Sequence, residues 1–233
     1  MSNEYKPPTI RISKAREELL ASYADAAGCL YGALSIAEFV EVFNYYEHDK
    51  TYEQEATLAL QRYEKFNPDE TEYIIYNEFI LGPELSPDLL EDDVQRLKAL
   101  RMEQKGKPRY YPERDDFMKF TGLLYIDPIK PYADLKDYIL NNKLRDKEDE
   151  DDDVDVDDEL LDLHEMIQNK VEPVGLLQYF IDAGYSLHDI DQINAFIQVI
   201  MTAYNNTRMY ENNGFTPNEL RELMTSQHPK EIK

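Results

Sequence analysis

The chain has 233 residues, a hydrophobic fraction of 42 %, one cysteine and a formal charge of −23 from 48 acidic and 25 basic side chains. That length buries roughly 70 % or more of the unfolded surface, so neither a disulfide nor a structural metal is needed to fold it. The charge repels nucleic-acid phosphates and anionic membranes, no apolar run approaches a bilayer span, and the N-terminus carries no basic-then-apolar leader, so a cytoplasmic protein is expected.

Residues 1–9, with two prolines and little apolar content, read as a tail. Leu19, Leu20, Tyr23, Ala26, Ala27 and Leu30 trace one face of a helix over 13–31, which Gly32 breaks; Cys29 in this apolar context acts as a small hydrophobe. Ser35 followed by Glu38 is a capping box, and Ile36, Phe39, Val40 and Phe43 continue at helical spacing. Thr51 and Gln54 repeat that signature before a third helix through Leu58, Leu60 and Tyr63. The segment 72–85, rich in β-branched and aromatic residues between Pro68 and Gly82-Pro83, predicts at most one short strand or hairpin near 72–82. Helices follow over 92–104, 113–120 and 132–142, the last two each preceded by a proline.

Eleven of the acids then crowd between Glu148 and Asp162. Consecutive like charges with no apolar face favour solvated, extended chain, so 146–157 is expected to be an acidic linker or loop. Beyond it Leu160, Leu161, Leu163, Met166 and Ile167 resume a helical period. Pro173 opens a helix that Gly184 ends, and Ile190, Ile193, Phe196, Ile197, Ile200, Met201 and Tyr204 form the stripe of a helix over 186–205. The fold class expected is mainly α, in two helical lobes at about 10–145 and 158–233.

Between the last two predicted helices lies NNTRMYENNGFTPNEL, 205–220. Asn205 and Asn206 suit a helix end, Gly214 supplies positive φ, and Thr216, Pro217 and Glu219 read as a capped helix start. Arg208 and Asn212 are left over by this turn chemistry. A guanidinium there closes helix carbonyls, binds an acid of the same chain, or holds an anionic partner.

Other candidate chemistry is thin. His164-Glu165 begins a zinc-protease pattern, but the second histidine position is Gln168, and three protein ligands are required. The alternating aspartates 151, 153, 155 and 157 lack the glycine and terminal glutamate of a calcium loop, leaving at most weak, non-specific divalent-cation binding. No phosphate-cradling glycine motif or nucleophile elbow is present, so no catalytic, cofactor-binding or metal-ligating residue is named and no cofactor is expected. One basic island interrupts the acidic chain at 95–114, with Arg96, Arg101, Lys105, Lys107, Arg109 and Tyr110 as its candidate patch. It reads as a solvated helix face, as a docking surface for the chain's own acidic run, or as a phosphate-and-base binding strip.

Two stretches, YGALSIAEFVEVFNYYE at 31–47 and the 205–220 segment, resemble helical proteins of Gram-positive bacteria that have no assigned activity. Relatives of those proteins often end in the Cys-rich zinc motif found at the C-terminus of the SecA translocase. A single cysteine excludes that motif here, so the resemblance implies a helical fold and a bacterial source, and no zinc. Amphipathic helices, 18 tyrosines and no assembled catalytic motif point to a non-enzymatic protein–protein interaction module, with a protein as partner and nucleic acid disfavoured. An acidic DNA mimic that inhibits a nuclease, and an enzyme of unrecognised type, are the alternatives.

Overall fold

A computed structural model describes residues 10–83, 85, 91–122, 125–142, 144 and 156–227. Among them are ten α-helices and a small antiparallel sheet, so the fold is mainly α as expected. The chain divides into two compact units, one drawn from Met1–Lys98 with Tyr111–Leu123, the other from Ala99–Tyr110 with Leu124–Lys233. The division therefore falls in the middle of the chain rather than at the acidic run, and the lobes expected at 10–145 and 158–233 differ from it. The reason is that 104–110 is hydrogen-bonded to 210–213 and that the helix over 130–142 packs against 156–168 and 190–206. Residues 1–9 and 146–155 lie outside the described residues, while 156–157, expected to be linker, are the first turn of a helix.

In the first unit α1 (Lys14–Tyr31) is capped by Ser13, whose side chain accepts from the Arg16 amide, and it ends at Gly32 with φ 73°. Strand β1 (Ala33–Ser35) leads directly into α2 (Ile36–Tyr46), which carries the expected box: the Ser35 amide donates to Glu38 at 2.7 Å and the Glu38 amide to Ser35 Oγ at 3.2 Å. Helix α3 (Glu53–Phe66) does not use Thr51 as its cap. The Thr51 amide is taken by Asn44 Oδ1 at 2.8 Å and its hydroxyl by Glu55, so the cap position passes to Tyr52, which makes no side-chain capping bond.

The expected hairpin is β2 (Ile74–Tyr76) and β3 (Phe79–Leu81), joined by a tight turn in which Asn77 takes φ 54°, a conformation asparagine tolerates. Strand β3 is central; Leu34 pairs with Ile80 on one side and Ile75 with Ile80 on the other. Strand β1 was not anticipated, because three residues between two helices show no alternation. The sheet lies so close to α1 that Gly82 and Gly28 meet backbone to backbone: a Cβ on Gly82 would stand 2.4 Å from the Gly28 carbonyl oxygen. The core gathers Leu20, Tyr23 and Leu30 with Phe39, Phe43, Leu60 and Ile80. Phe117, from the short α5 (Arg114–Phe117), closes it against Tyr23 and Tyr46.

Two polar fixtures hold this unit's connections. Arg16, its side chain 12 % exposed, donates to both Glu55 carboxylate oxygens and to the carbonyls of Asp49 and Lys50, which fastens the α2–α3 turn. Asp25, buried on α1, accepts from the Glu72 and Tyr73 amides at 2.7 and 3.1 Å and so anchors the entry to β2. Burial pushes its carboxyl up to about 7 despite those two amide donors.

Helix α4 (Glu91–Gln104) contributes residues to each unit. The second unit further comprises α6 (Lys130–Asn142), α7 (Val156–Gln168), α8 (Pro173–Asp182), α9 (Ile190–Asn206) and α10 (Pro217–Gln227). Its core joins Leu135 and Ile139, Leu163 and Ile167, Leu176 and Phe180, and Phe196 and Ile200, the inward stripes of α6 to α9. Helix α9 starts four residues later than expected because the Ser186 amide is held by the Leu144 carbonyl, and Asp189 caps the helix through the Gln192 amide at 2.8 Å. Helices α7 and α8 end alike, with six-to-one backbone bonds closed by a residue at positive φ. At α8 that residue is Gly184; at α7 it is Lys170 with φ 63°.

Candidate functional site

The 205–220 segment forms a corner whose polar side chains point mostly into the protein. Asn205 and Asn206 end α9 by donating back to the carbonyls of Met201 and Thr202. Thr207 donates to the Ala203 carbonyl and receives the buried Tyr132 hydroxyl at 2.8 Å. Asn213 takes φ 50° and Gly214 φ 83°, which turns the chain back so that the Met209 amide meets the Phe215 carbonyl. Thr216 and Glu219 form the anticipated reciprocal cap, at 3.0 and 3.1 Å.

Arg208 is the hub of this corner, its side chain 13 % exposed. Nε donates to Asp127 at 2.8 Å, Nη1 to Glu219 at 3.0 Å and to the Gly214 carbonyl at 3.1 Å, and Nη2 to the Tyr110 hydroxyl at 2.9 Å. The guanidinium also lies over the Tyr110 ring, 3.7 Å from its centroid. Tyr125 donates to the second Asp127 oxygen, so that carboxylate is held from two sides. Every guanidinium nitrogen is engaged within the unit. Of the three roles open to Arg208, the arrangement is that of an internal ion-pair hub.

The corner docks on the end of the basic island. Gln104 Nε2 donates to the Tyr210 carbonyl, Asn213 Nδ2 to the carbonyls of Gln104 and Lys107, and the Tyr110 amide to the Asn213 carbonyl. Lys107 Nζ reaches the Glu211 carbonyl and Asn212 Oδ1 at 2.8 and 2.9 Å. Lys170 bridges Glu103 and Glu211 at 2.8 and 2.7 Å; its two glutamate partners push its ammonium pKa up, and Lys170 in turn holds the Glu103 carboxyl below the ordinary range. The structure thus brings the two candidate sets together: Lys107 and Tyr110 serve Asn212 and Arg208.

The remaining island residues do not gather as one patch. Arg96 lies among the residues of the first unit and pairs with Asp93 at 3.6 Å one turn away, whereas Arg101 donates to Gln104 at 2.7 Å. Lys105 is exposed and Arg109 half-buried in the second unit. What sequence reasoning missed is Asp127, one acid among 48 with no local signal to distinguish it.

His164 sits on α7 with its ring 5.9 Å from that of Tyr132, and burial drives its pKa down to about 4, against a small opposing pull from Asp127. It is a neutral core residue. Among the described residues no group of three His, Cys, Asp or Glu side chains is placed to hold a metal ion, and no helix is long and apolar enough to cross a membrane. A wide-mouthed hollow of about 420 Å³ beside α10 is lined by Asn212, Pro217, Leu220, Arg221, Met224 and Thr225. Arg221 is its one charged wall residue, so it offers no pair of converging acids and bases.

Compared with known protein families, with characterised proteins and with solved structures, the chain matches none.

Proposed function

We propose that this chain is a non-enzymatic protein–protein interaction module working in the bacterial cytoplasm. The observation that carries the reading is helix α8. From Pro173 to Ile181 it has no charged side chain. Its inner face is fully used: Leu176 and Phe180 are completely buried, with Phe180 edge-on to Tyr185 and Phe196 at 5.0 and 5.1 Å. Its outer face still carries large apolar side chains, Val174 79 % and Ile181 44 % exposed, with exposed Gln178 between them. Two large apolar side chains thus face solvent on a helix whose inner face is already filled.

The alternatives find less support. An acidic DNA mimic needs bare carboxylates in a fixed array, whereas Glu47, Glu55, Asp127, Glu211 and Glu219 each carry a cationic partner. An enzyme needs perturbed groups that converge. Neither Asp25 nor His164 lines the hollow beside α10.

The test is affinity capture with the tagged full chain from a lysate of the cell that produces it, at physiological salt. A protein retained in stoichiometric amount is the expected result. Its absence, under conditions where the bait is folded, refutes the module reading.

A further inference from the structure

Resting on the interaction-module reading, the geometry of α8 points to the chemistry of the partner. We infer that this face receives a short amphipathic helix whose two apolar turns are flanked by lysine or arginine.

The first reason is the shape of the apolar surface. Val174 and Ile181 are seven residues apart, so they lie on one line of the helix, about 10 Å apart along its axis. That is a ridge two turns long with Gln178 between them, suited to the groove of a second helix carrying apolar residues at i, i+3 or i+4, and i+7.

The second reason is the charge around the ridge. Glu172 stands exposed immediately before α8 and Asp182 is exposed as its last residue, so an acid marks each end. The exposed first turn of α9 repeats the pattern, with Ile190 between Asp189 and Asp191. From Val171 through Thr207 the chain contains no lysine or arginine. Lys170, the cation that precedes this stretch, is already neutralised by Glu103 and Glu211. The face offers apolar contact and negative charge together. A second copy of a chain with net charge −23 meets repulsion there, as does an anionic membrane. A helix that is apolar in the middle and cationic at both ends is complementary in both respects.

The experiment uses the full chain and three fluorescent sixteen-residue peptides. One has leucines at helical spacing between paired lysines, one has the lysines replaced by glutamates, and one has the first composition scrambled. Fluorescence anisotropy is expected to show binding of the lysine-flanked peptide alone, weakening as salt rises. The double variant Val174→Asn/Ile181→Asn changes no charge and touches exposed positions, so its melting temperature should match the parent. Its affinity for the peptide should fall about tenfold or more, since apolar burial at two positions is lost. Glu172→Gln/Asp182→Asn should weaken binding and flatten its salt dependence.

Equal binding of the glutamate-flanked or scrambled peptide overturns the inference, and so does unchanged affinity in the double asparagine variant. Sedimentation showing a dimer that the variant abolishes assigns the face to a second copy; vesicle binding that the variant abolishes assigns it to lipid. Either result overturns the inference. A stoichiometric protein captured independently of Val174 and Ile181 leaves the module reading standing and removes this one. Selective peptide binding with no captured protein does the reverse.

Discussion

Arg208 shows how far one side chain is committed. Its guanidinium joins the end of α9, the Asp127 strand of chain before α6, the cap of α10 and Tyr110, residues spread over more than a hundred positions. Arg208→Ala is expected to destabilise the second unit by about 3 kcal/mol, the lower end for a stranded buried charge because Glu219 keeps contact with water. Arg208→Lys should recover only part of this, since an ammonium cannot serve Asp127, Glu219 and Tyr110 in a fixed fork. Denaturant unfolding of both variants measures it; a loss under 1 kcal/mol for alanine would mark the hub as a surface pairing. The role of Arg208 was open in sequence because its principal acid, Asp127, carries no local signature. Asn205, Thr216 and Glu219 could be read directly, because capping and helix termination are written within four residues of themselves.

Among the elements, the helices with local punctuation were legible and the sheet only partly so. Ser35 with Glu38, Gly184 and the stripe of α9 announce themselves, as does the apolar run of β2 and β3. Strand β1 did not, because it exists through pairing with β3, some 45 residues away, and because two glycines let that sheet approach α1. Periodicity cannot report a long-range contact of this kind. The contact is testable. On Gly82, an added methyl would meet the Gly28 backbone at 2.4 Å, and neither side has a flexible side chain to move. Gly82→Ala is therefore expected to cost about 3 kcal/mol or more, at the upper end of overpacking. On Gly28 the nearest atom would be at 3.1 Å, so Gly28→Ala should be the milder of the pair. Thermal unfolding of both variants ranks them, and equal, small effects would mean that α1 and the sheet can move apart.

For the whole molecule, the two units should answer acid in opposite senses. Asp25, in the first unit, has its pKa raised to about 7 by burial. The folded state therefore favours the protonated form, and this contribution is complete below about pH 4 and is lost as pH rises through 7. His164, in the second unit, has its pKa lowered to about 4, so the folded state rejects the proton. Its contribution is complete above about pH 6.5 and is lost as pH falls towards 4. Lowering the pH from 7.5 to 5 should strengthen the first unit's local stability and weaken the second's. Hydrogen exchange, corrected for the intrinsic rate, is expected to show amides of α1 and β2 better protected at pH 5 and those of α6 and α7 less protected. Asp25→Asn should abolish the first trend and His164→Gln the second. Parallel trends in the two units would show that general charge repulsion, not these two groups, governs the response.

The docking of residues 104–110 on 208–215 also bears on the order in which the protein assembles as it is made. The pieces assigned to the first unit are complete once about half the chain has been synthesised, since residues 111–123 supply its closing Phe117. The second unit waits. Gln104, Lys107 and Tyr110 emerge early, yet Tyr210, Asn212, Asn213 and Arg208 arrive roughly a hundred residues later. At about 5–20 residues per second, that leaves the basic segment without its partners for several seconds on each ribosome. A chain stopped short of Arg208 lacks every one of these contacts, so the second unit is finished only when the last stretch of the chain is made.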